Sequence, residues 1–407
     1  MGLTSTTLLL FTIEVALVVL GATVWWWPAF AERHWRAVLG RVGMLLGSQF
    51  ALLAVLGLVA NNYFSFYSSW NDLLGTGPDA PVSVRAAAAP GAQPAPTGSA
   101  ASSAASAAPT ASASASASAE ADPPNLPVLP AEETGSEPVN ASGRDPQKVG
   151  AIRAVRIPGA RTGLSTDGYV YLPPQYFQPG NEQRKFPAVI AMTGFPGDAK
   201  ALITRFNYPG VALDELRAGR MQPTVLVLMR PSPAMPADPE CEDVPGGPQA
   251  ETYFAKDVPR AIGAAYRVAT GPGAWGVMGN STGGYCAAKL AMRHPDVFAG
   301  GVSISGYLKA AEDVTTGDLF KGSQRRRDEA DLLWRVRNLP MPATGIMLSG
   351  AEKGDGDFRA EADAFTAAAK APLTTGIASV PEGGHNYTTW IKLLPSGFQF
   401  LSARLKV

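Results

Sequence analysis

The sequence predicts an α/β fold, a mostly parallel sheet with helices on both faces, preceded by a two-helix transmembrane hairpin and a disordered linker. Three observations predict it. Over residues 151–407, short and continuously apolar runs alternate with helical patterns, as strands buried on both faces and their crossover helices do. Residues 1–62 hold two long apolar stretches. Between these zones, residues 63–150 change to an aromatic patch followed by Ala, Ser, Pro and Gly.

The hairpin comes first. One apolar span runs from about Thr6 to Trp27 and the next from Val42 to Ala60. Crossing a hydrocarbon core takes roughly 20 residues. Cleavage of the first span as a signal peptide, at Ala29-Phe30-Ala31, is the competing reading. Against it, the N-terminus carries no Lys or Arg and a second span follows directly. Arg33, Arg36 and Arg41 lie in the connecting stretch. Positive charge stays on the cytoplasmic side, so both ends of the chain are expected outside.

The juxtamembrane run 63-YFSFYSSWNDLLG-75 is expected at the membrane–water boundary. The run 110-TASASASASAEADPP-124 cannot bury enough apolar surface to offset its chain entropy. It reads as a disordered tether, a spacer without specific contacts, with lifting of the following domain off the bilayer as the alternative.

The 34 basic and 34 acidic residues cancel, which argues against a nucleic-acid partner. Two cysteines and three histidines allow no zinc or iron–sulfur spacing, and no metal or organic cofactor is expected. Cys241 and Cys286 would both be extracytoplasmic, where oxidised pairs persist. A bond between them would pin the 231–250 loop beside residue 281; two separate buried thiols are the alternative.

Strands are expected at 168–173, 187–194, 223–230, 274–279, 299–306, 344–350 and 374–381. Helices are expected at about 255–268, 282–293, 358–370 and 388–404. Asp257 and Arg260 read as surface or helix-end charges. Within this pattern 279-GNSTG-283 follows a strand and opens a helix. A serine at such a turn is held in tight backbone with its hydroxyl pushed outward. Ser281 is therefore the candidate nucleophile, and a hydroxyl needs a base. Of the three histidines, His34 falls in the hairpin loop and His294 at a helix end. His385, in 380-VPEGGHNYTTW-390, follows the last strand and is the expected base.

An acid that orients the imidazole should follow the strand at 344–350. The loop 350-GAEKGDGDF-358 offers three. Glu352 is nearest the strand end and is the first choice. Asp357, a candidate helix cap, and Asp355, a candidate turn residue between glycines, are the alternatives. The backbone N–H groups of Thr282 and of Phe195, in 193-TGFPGDAK-200, are the expected oxyanion donors.

These pieces resemble the esterase family of α/β-hydrolases that includes esterase D-like enzymes, feruloyl esterases and antigen 85 mycolyltransferases. The matching residues are GFPG at 194–197, the run 240–262, GNSTGGYCAAKLAMRHPDVF at 279–298, SISGY at 303–307 and GGHNYTTW at 383–390. The hairpin and tether are similar to those of actinobacterial cell-envelope members. The resemblance implies an α/β-hydrolase fold over 151–407. It also implies ester hydrolysis, or acyl transfer to envelope glycans or lipids, by a serine triad. The expected partner is an ester or acyl-lipid or glycan substrate. A non-catalytic binding module on the same fold is the remaining alternative.

Overall fold

A computed structural model describes residues 2–76, 81–86, 125–139 and 145–407. The tether run 110–124 lies outside them. Helix α1 (Thr6–Trp26) is capped by Ser5, whose hydroxyl accepts from the Leu8 amide. Helix α2 (Trp35–Phe64) begins earlier and ends later than the span expected at 42–60. At 1.5 Å per residue they are about 31 and 45 Å long, against a hydrocarbon core of about 30 Å. The segments Thr6–Phe30 and Trp35–Phe64 are long and apolar enough to cross a membrane. The small residues Ala16, Ala37, Ser48 and Ala51 are buried where the helices meet the rest of the chain, while Leu10, Leu17, Phe50 and Leu53 are exposed. After α2, Ser65 turns the chain in a left-handed conformation. Asn61 then clamps Tyr67, donating to its carbonyl at 3.0 Å and accepting from its amide at 2.9 Å. A short helix, α3 (Trp70–Leu74), follows.

The main remaining elements build one sheet and most of its cover. In chain order they are β1 (Ser83–Ala86), β2 (Glu132–Glu137), β3 (Ala151–Pro158), β4 (Ser165–Leu172), β5 (Ala188–Met192), α4 (Tyr208–Arg217), β6 (Val225–Met229) and α5 (Val258–Ala265). Then come β7 (Trp275–Asn280), α6 (Thr282–Arg293), β8 (Phe298–Ile304), β9 (Gly345–Ala351), α7 (Phe358–Ala368), β10 (Thr374–Val380) and α8 (Tyr387–Ser402). Among the described residues the sheet order is β1-β10-β9-β8-β7-β5-β6-β4-β3-β2. Pairing is parallel from β10 through to β6, and antiparallel at both margins.

All seven expected strands are present. Three were not expected. Of these, β1 and β2 come from the stretch read as linker and form the two edges of the sheet. Asp257, read as a surface or helix-end charge, does stand at the N-terminal end of α5 but is buried. Its carboxylate accepts from the amides of Arg161 and Thr162 and from the Thr162 hydroxyl, holding the β3–β4 turn.

Strand register puts the site in place. Met192 pairs with Gly279, and Asn280 with Ile304. The C-terminal ends of β5, β7 and β8 therefore stop at one level. The chain steps from β5 outward to β6, then returns across β5 to begin β7. Strand order reverses there, and a crevice opens at such a point outside the carboxyl ends.

Two apolar layers flank the sheet. Tyr285 and Leu290 of α6, Ile262 of α5 and Phe365 of α7 pack on one face. On the other, Leu213 of α4 meets Leu393, Leu394 and Phe398 of α8. Phe398 is fully buried and sits edge-on to Tyr208. Phe398→Ala should therefore cost about 3–5 kcal/mol through lost burial and a residual cavity. The expected readout is a lower urea midpoint followed by tryptophan fluorescence. An unchanged midpoint would contradict the packing described.

Candidate active site

Ser281 is the single residue between β7 and α6. Its backbone lies at φ 55°, ψ −125°, a region that costs a non-glycine residue on the order of 1–3 kcal/mol. The structure holds it there. The Ser281 amide donates to the Ile304 carbonyl at 2.9 Å, and its carbonyl accepts from the amides of Gly284 and Tyr285. A Cβ on Gly283 would stand 2.4 Å from the Thr193 carbonyl oxygen, so only glycine lets α6 start this close to β5.

His385 reaches Ser281 from the loop between β10 and α8. Its Nε2 is 2.9 Å from Ser281 Oγ. Its Nδ1 is 3.0 Å from Asp355 Oδ1, which fixes the tautomer needed for Nε2 to accept a proton. The ring stands edge-on to Trp390, centroids 4.9 Å apart. Asp355 is buried, and its other oxygen accepts from the Ser305 hydroxyl. The other two histidines lie elsewhere. His294 contacts Glu251 at 2.8 Å beside Arg293, and His34 lies near Glu32.

Glu352, the first choice of acid, is turned away from the His385 ring. Its amide donates to the Val380 carbonyl, prolonging the β9–β10 pairing by one residue. Its carboxylate is thereby turned to Arg359 at 3.0 Å and Ser379 at 2.9 Å. Beyond it, Gly354 and Gly356 take positive φ, and the turn they make swings Asp355 back under the ring. Asp357 is exposed and makes no side-chain cap to α7. The Gly-Asp-Gly signal is present in the sequence, and the residue is both the turn and the carboxylate beside the His385 ring.

A cavity of about 980 Å³ opens over Ser281, and Phe195 and Thr282 line it beside the hydroxyl. One wall is aromatic, with Tyr63, Phe64, Phe66, Phe206 and Trp390. The lining also includes an acidic wall of Asp238, Glu240 and Asp313. The sulfurs of Cys241 and Cys286 lie at disulfide distance and join that wall to α6. Among the described residues, no group of His, Cys, Asp and Glu is arranged to hold a metal ion.

Sequence reasoning missed the buried charges behind the acidic wall. Lys289 of α6 is fully buried and donates to Glu242 and to the carbonyls of Glu240 and Cys241. Glu240 accepts from the Tyr307 hydroxyl, which also reaches Thr282 Oγ1 at 3.1 Å. Burial, with the neighbouring Asp238 charge, pushes the Glu240 carboxyl up to about 8. Burial likewise pushes Asp238 up to about 6.

Residues 159–401 match the family model described as "Putative esterase". The chain belongs to this family. A ferulic acid esterase structure is 18% identical, with a TM-score of 0.52 over 62% of this chain and 97% of that one. An S-formylglutathione hydrolase from Agrobacterium tumefaciens is 15% identical, with a TM-score of 0.51 over 64% and 97%. These likenesses establish a shared fold. An uncharacterized protein of Corynebacterium glutamicum is 24% identical over 283 residues, 64% of this chain. The chain spans 63% of the length of that relative.

The acidic wall of the esterase domain makes a prediction about pH. An unperturbed glutamate titrates at 4.5, and burial pushes the Glu240 carboxyl up to about 8. Between these values the native chain keeps a proton that the unfolded chain has released, so this group's contribution to stability falls as pH rises. Glu240→Gln should flatten the decline of melting temperature across that window. An equally steep decline in the variant would contradict the assignment.

Proposed function

We propose that the chain is a membrane-anchored, extracytoplasmic serine esterase in which Ser281, His385 and Asp355 form the catalytic triad. The observation that carries the reading is the unbroken contact from Ser281 Oγ through the His385 ring to buried Asp355. Ser281 Oγ attacks the ester carbonyl while His385 Nε2 takes its proton. The Thr282 and Phe195 amides receive the developing oxyanion. The carbonyl–oxygen bond to the alcohol then breaks, and His385 returns the proton to that departing oxygen. Water, deprotonated by His385, attacks the acyl-enzyme and releases the acid and Ser281. Asp355 holds the ring's Nδ1–H and stabilises the imidazolium.

Placement outside the cytoplasm is supported by Arg33, Arg36 and Arg41 near the hairpin turn. The cysteine pair fits an oxidising compartment. The domain division into hairpin (1–62), juxtamembrane and linker segment (63–150) and esterase domain (151–407) belongs to the same proposal, amended by the two edge strands.

Acyl transfer to a hydroxyl of a glycan or lipid is a second reading. What favours it is the wall of carboxyl oxygens at Asp238, Glu240 and Asp313, which offers acceptors to a polyol. Mass analysis of products with and without added polyol separates the two: an acylated polyol marks transfer, free acid alone marks hydrolysis.

A fluorophosphonate probe should label the native chain and not Ser281→Ala. Absence of labelling in the folded native protein would instead support a binding module. Asp355→Asn should lower kcat by about 10,000-fold, as loss of the tautomer-fixing carboxylate does in other triads. Glu352→Gln should change kcat by no more than about twofold, as a surface change. The reverse pattern would reassign the acid.

A further inference from the structure

The hairpin does not end where the membrane helix ends. Its exit segment, Asn61 to Asp72, is folded against the two loops that carry His385 and Asp355. The His385 amide donates to the Ser65 carbonyl at 2.7 Å. The Gly384 amide donates to Asp72 Oδ2 at 3.0 Å. Asn386 Nδ2 donates to the Phe66 carbonyl at 2.6 Å and to both Asp72 oxygens at 3.1 Å. Asp72 is held in turn by the amide and hydroxyl of Ser68. A Cβ on Gly384 would stand 2.2 Å from the Phe66 carbonyl oxygen, and one on Gly354 would stand 2.2 Å from Ser68 Cβ. Both glycines are therefore sites of close backbone approach to this segment.

We propose that the hairpin's exit segment is a working part of the active site, with Asp72 as the positioning residue for His385. The inference rests on the esterase reading above. A loop with consecutive glycines, Gly383-Gly384, has wide backbone freedom, and a base displaced by an ångström loses much of its rate. The Asp72 carboxylate removes that freedom by charge-assisted hydrogen bonds to the residues on each side of His385. It touches neither the ring nor the cavity over Ser281, so it acts on where the base stands and not on substrate binding. Anchor and catalysis are thereby linked through residues more than three hundred positions apart in sequence.

The test uses the full chain in detergent with 4-nitrophenyl acetate. Asn386→Asp keeps a good cap for α8 but sets a second carboxylate against Asp72. Asp72→Asn removes the charge. Each should lower kcat by about 10- to 100-fold, and Asp72→Asn, which leaves the cavity lining unchanged, with KM within about twofold. The double variant reverses donor and acceptor, and its kcat should exceed that of Asn386→Asp alone by about fivefold or more. A purely structural role would lower the melting temperature without that split or that rescue. Should Asn386→Asp fail to fold, Asn61→Leu releases the Tyr67 clamp without touching the His385 loop and should give the same loss of kcat. Native kcat in the folded variants, or a rise in kcat, overturns the inference while leaving the triad intact. A folded native chain that neither hydrolyses the ester nor takes the fluorophosphonate overturns the esterase reading and this inference with it.

Discussion

The site depends on how closely α6 can begin beside the ends of β5 and β7. A side chain at Gly279 would meet the Gly283 carbonyl at 2.5 Å, and one at Gly283 would meet the carbonyls of Thr193 and Met192. With both atoms absent, the helix starts against the sheet and Ser281 is forced into positive φ. The strain persists because the surroundings over-determine it. The Ser281 amide is tied to β8, and α6 is buried from Thr282 to Met292. The hydroxyl is thus a fixed point, and the other groups are brought to it by loops from the same sheet edge.

That division explains what could be read in the sequence. The buried parallel strands are continuous apolar runs, and Ser281 sits in a strand-to-helix context, so both were legible locally. His385 was legible because histidine is scarce and its loop follows the last strand. Asp355 was not selected, because closeness along the chain to β9 favoured Glu352. The pairing of the Glu352 amide with Val380 keeps that residue in the sheet's plane, a tertiary fact that no local pattern carries. Strand β2, EETGSE, has no apolar alternation at all. Its pairing with β3 makes it a strand. The buried charges Lys289, Glu240 and Asp257 were illegible for a related reason: their partners come from other loops.

The cavity is asymmetric, and its asymmetry has separate supports. The aromatic wall comes from the hairpin exit, the β5 loop and α8. The acidic wall stands on Lys289, the cysteine pair and Tyr307, all fastened to α6. On the proposed reading, the aromatic lining suits an acyl group and the carboxyl oxygens suit the alcohol. Burying carboxyls there costs free energy unless protons or partners neutralise them. The raised value of Glu240 is the neutralising response, and its protonated form can donate as well as accept a hydrogen bond.

The hairpin changes what the linker can do. An Ala/Ser/Pro-rich tether suggests a domain lifted away from the bilayer. Yet Tyr63 and Phe64 are the last residues of α2 and line the same cavity as Ser281. Ser65, Phe66 and Asp72 are bonded to the His385 loop. Lifting the domain would break these contacts and expose the apolar residues they cover. The linker also leaves and re-enters at opposite edges of one sheet, through β1 and β2. The described chain on both sides of residues 87–124 is therefore paired into the domain's sheet. If α2 crosses a bilayer, part of the cavity wall stands near that bilayer's surface, because the helix that would cross it ends in that wall.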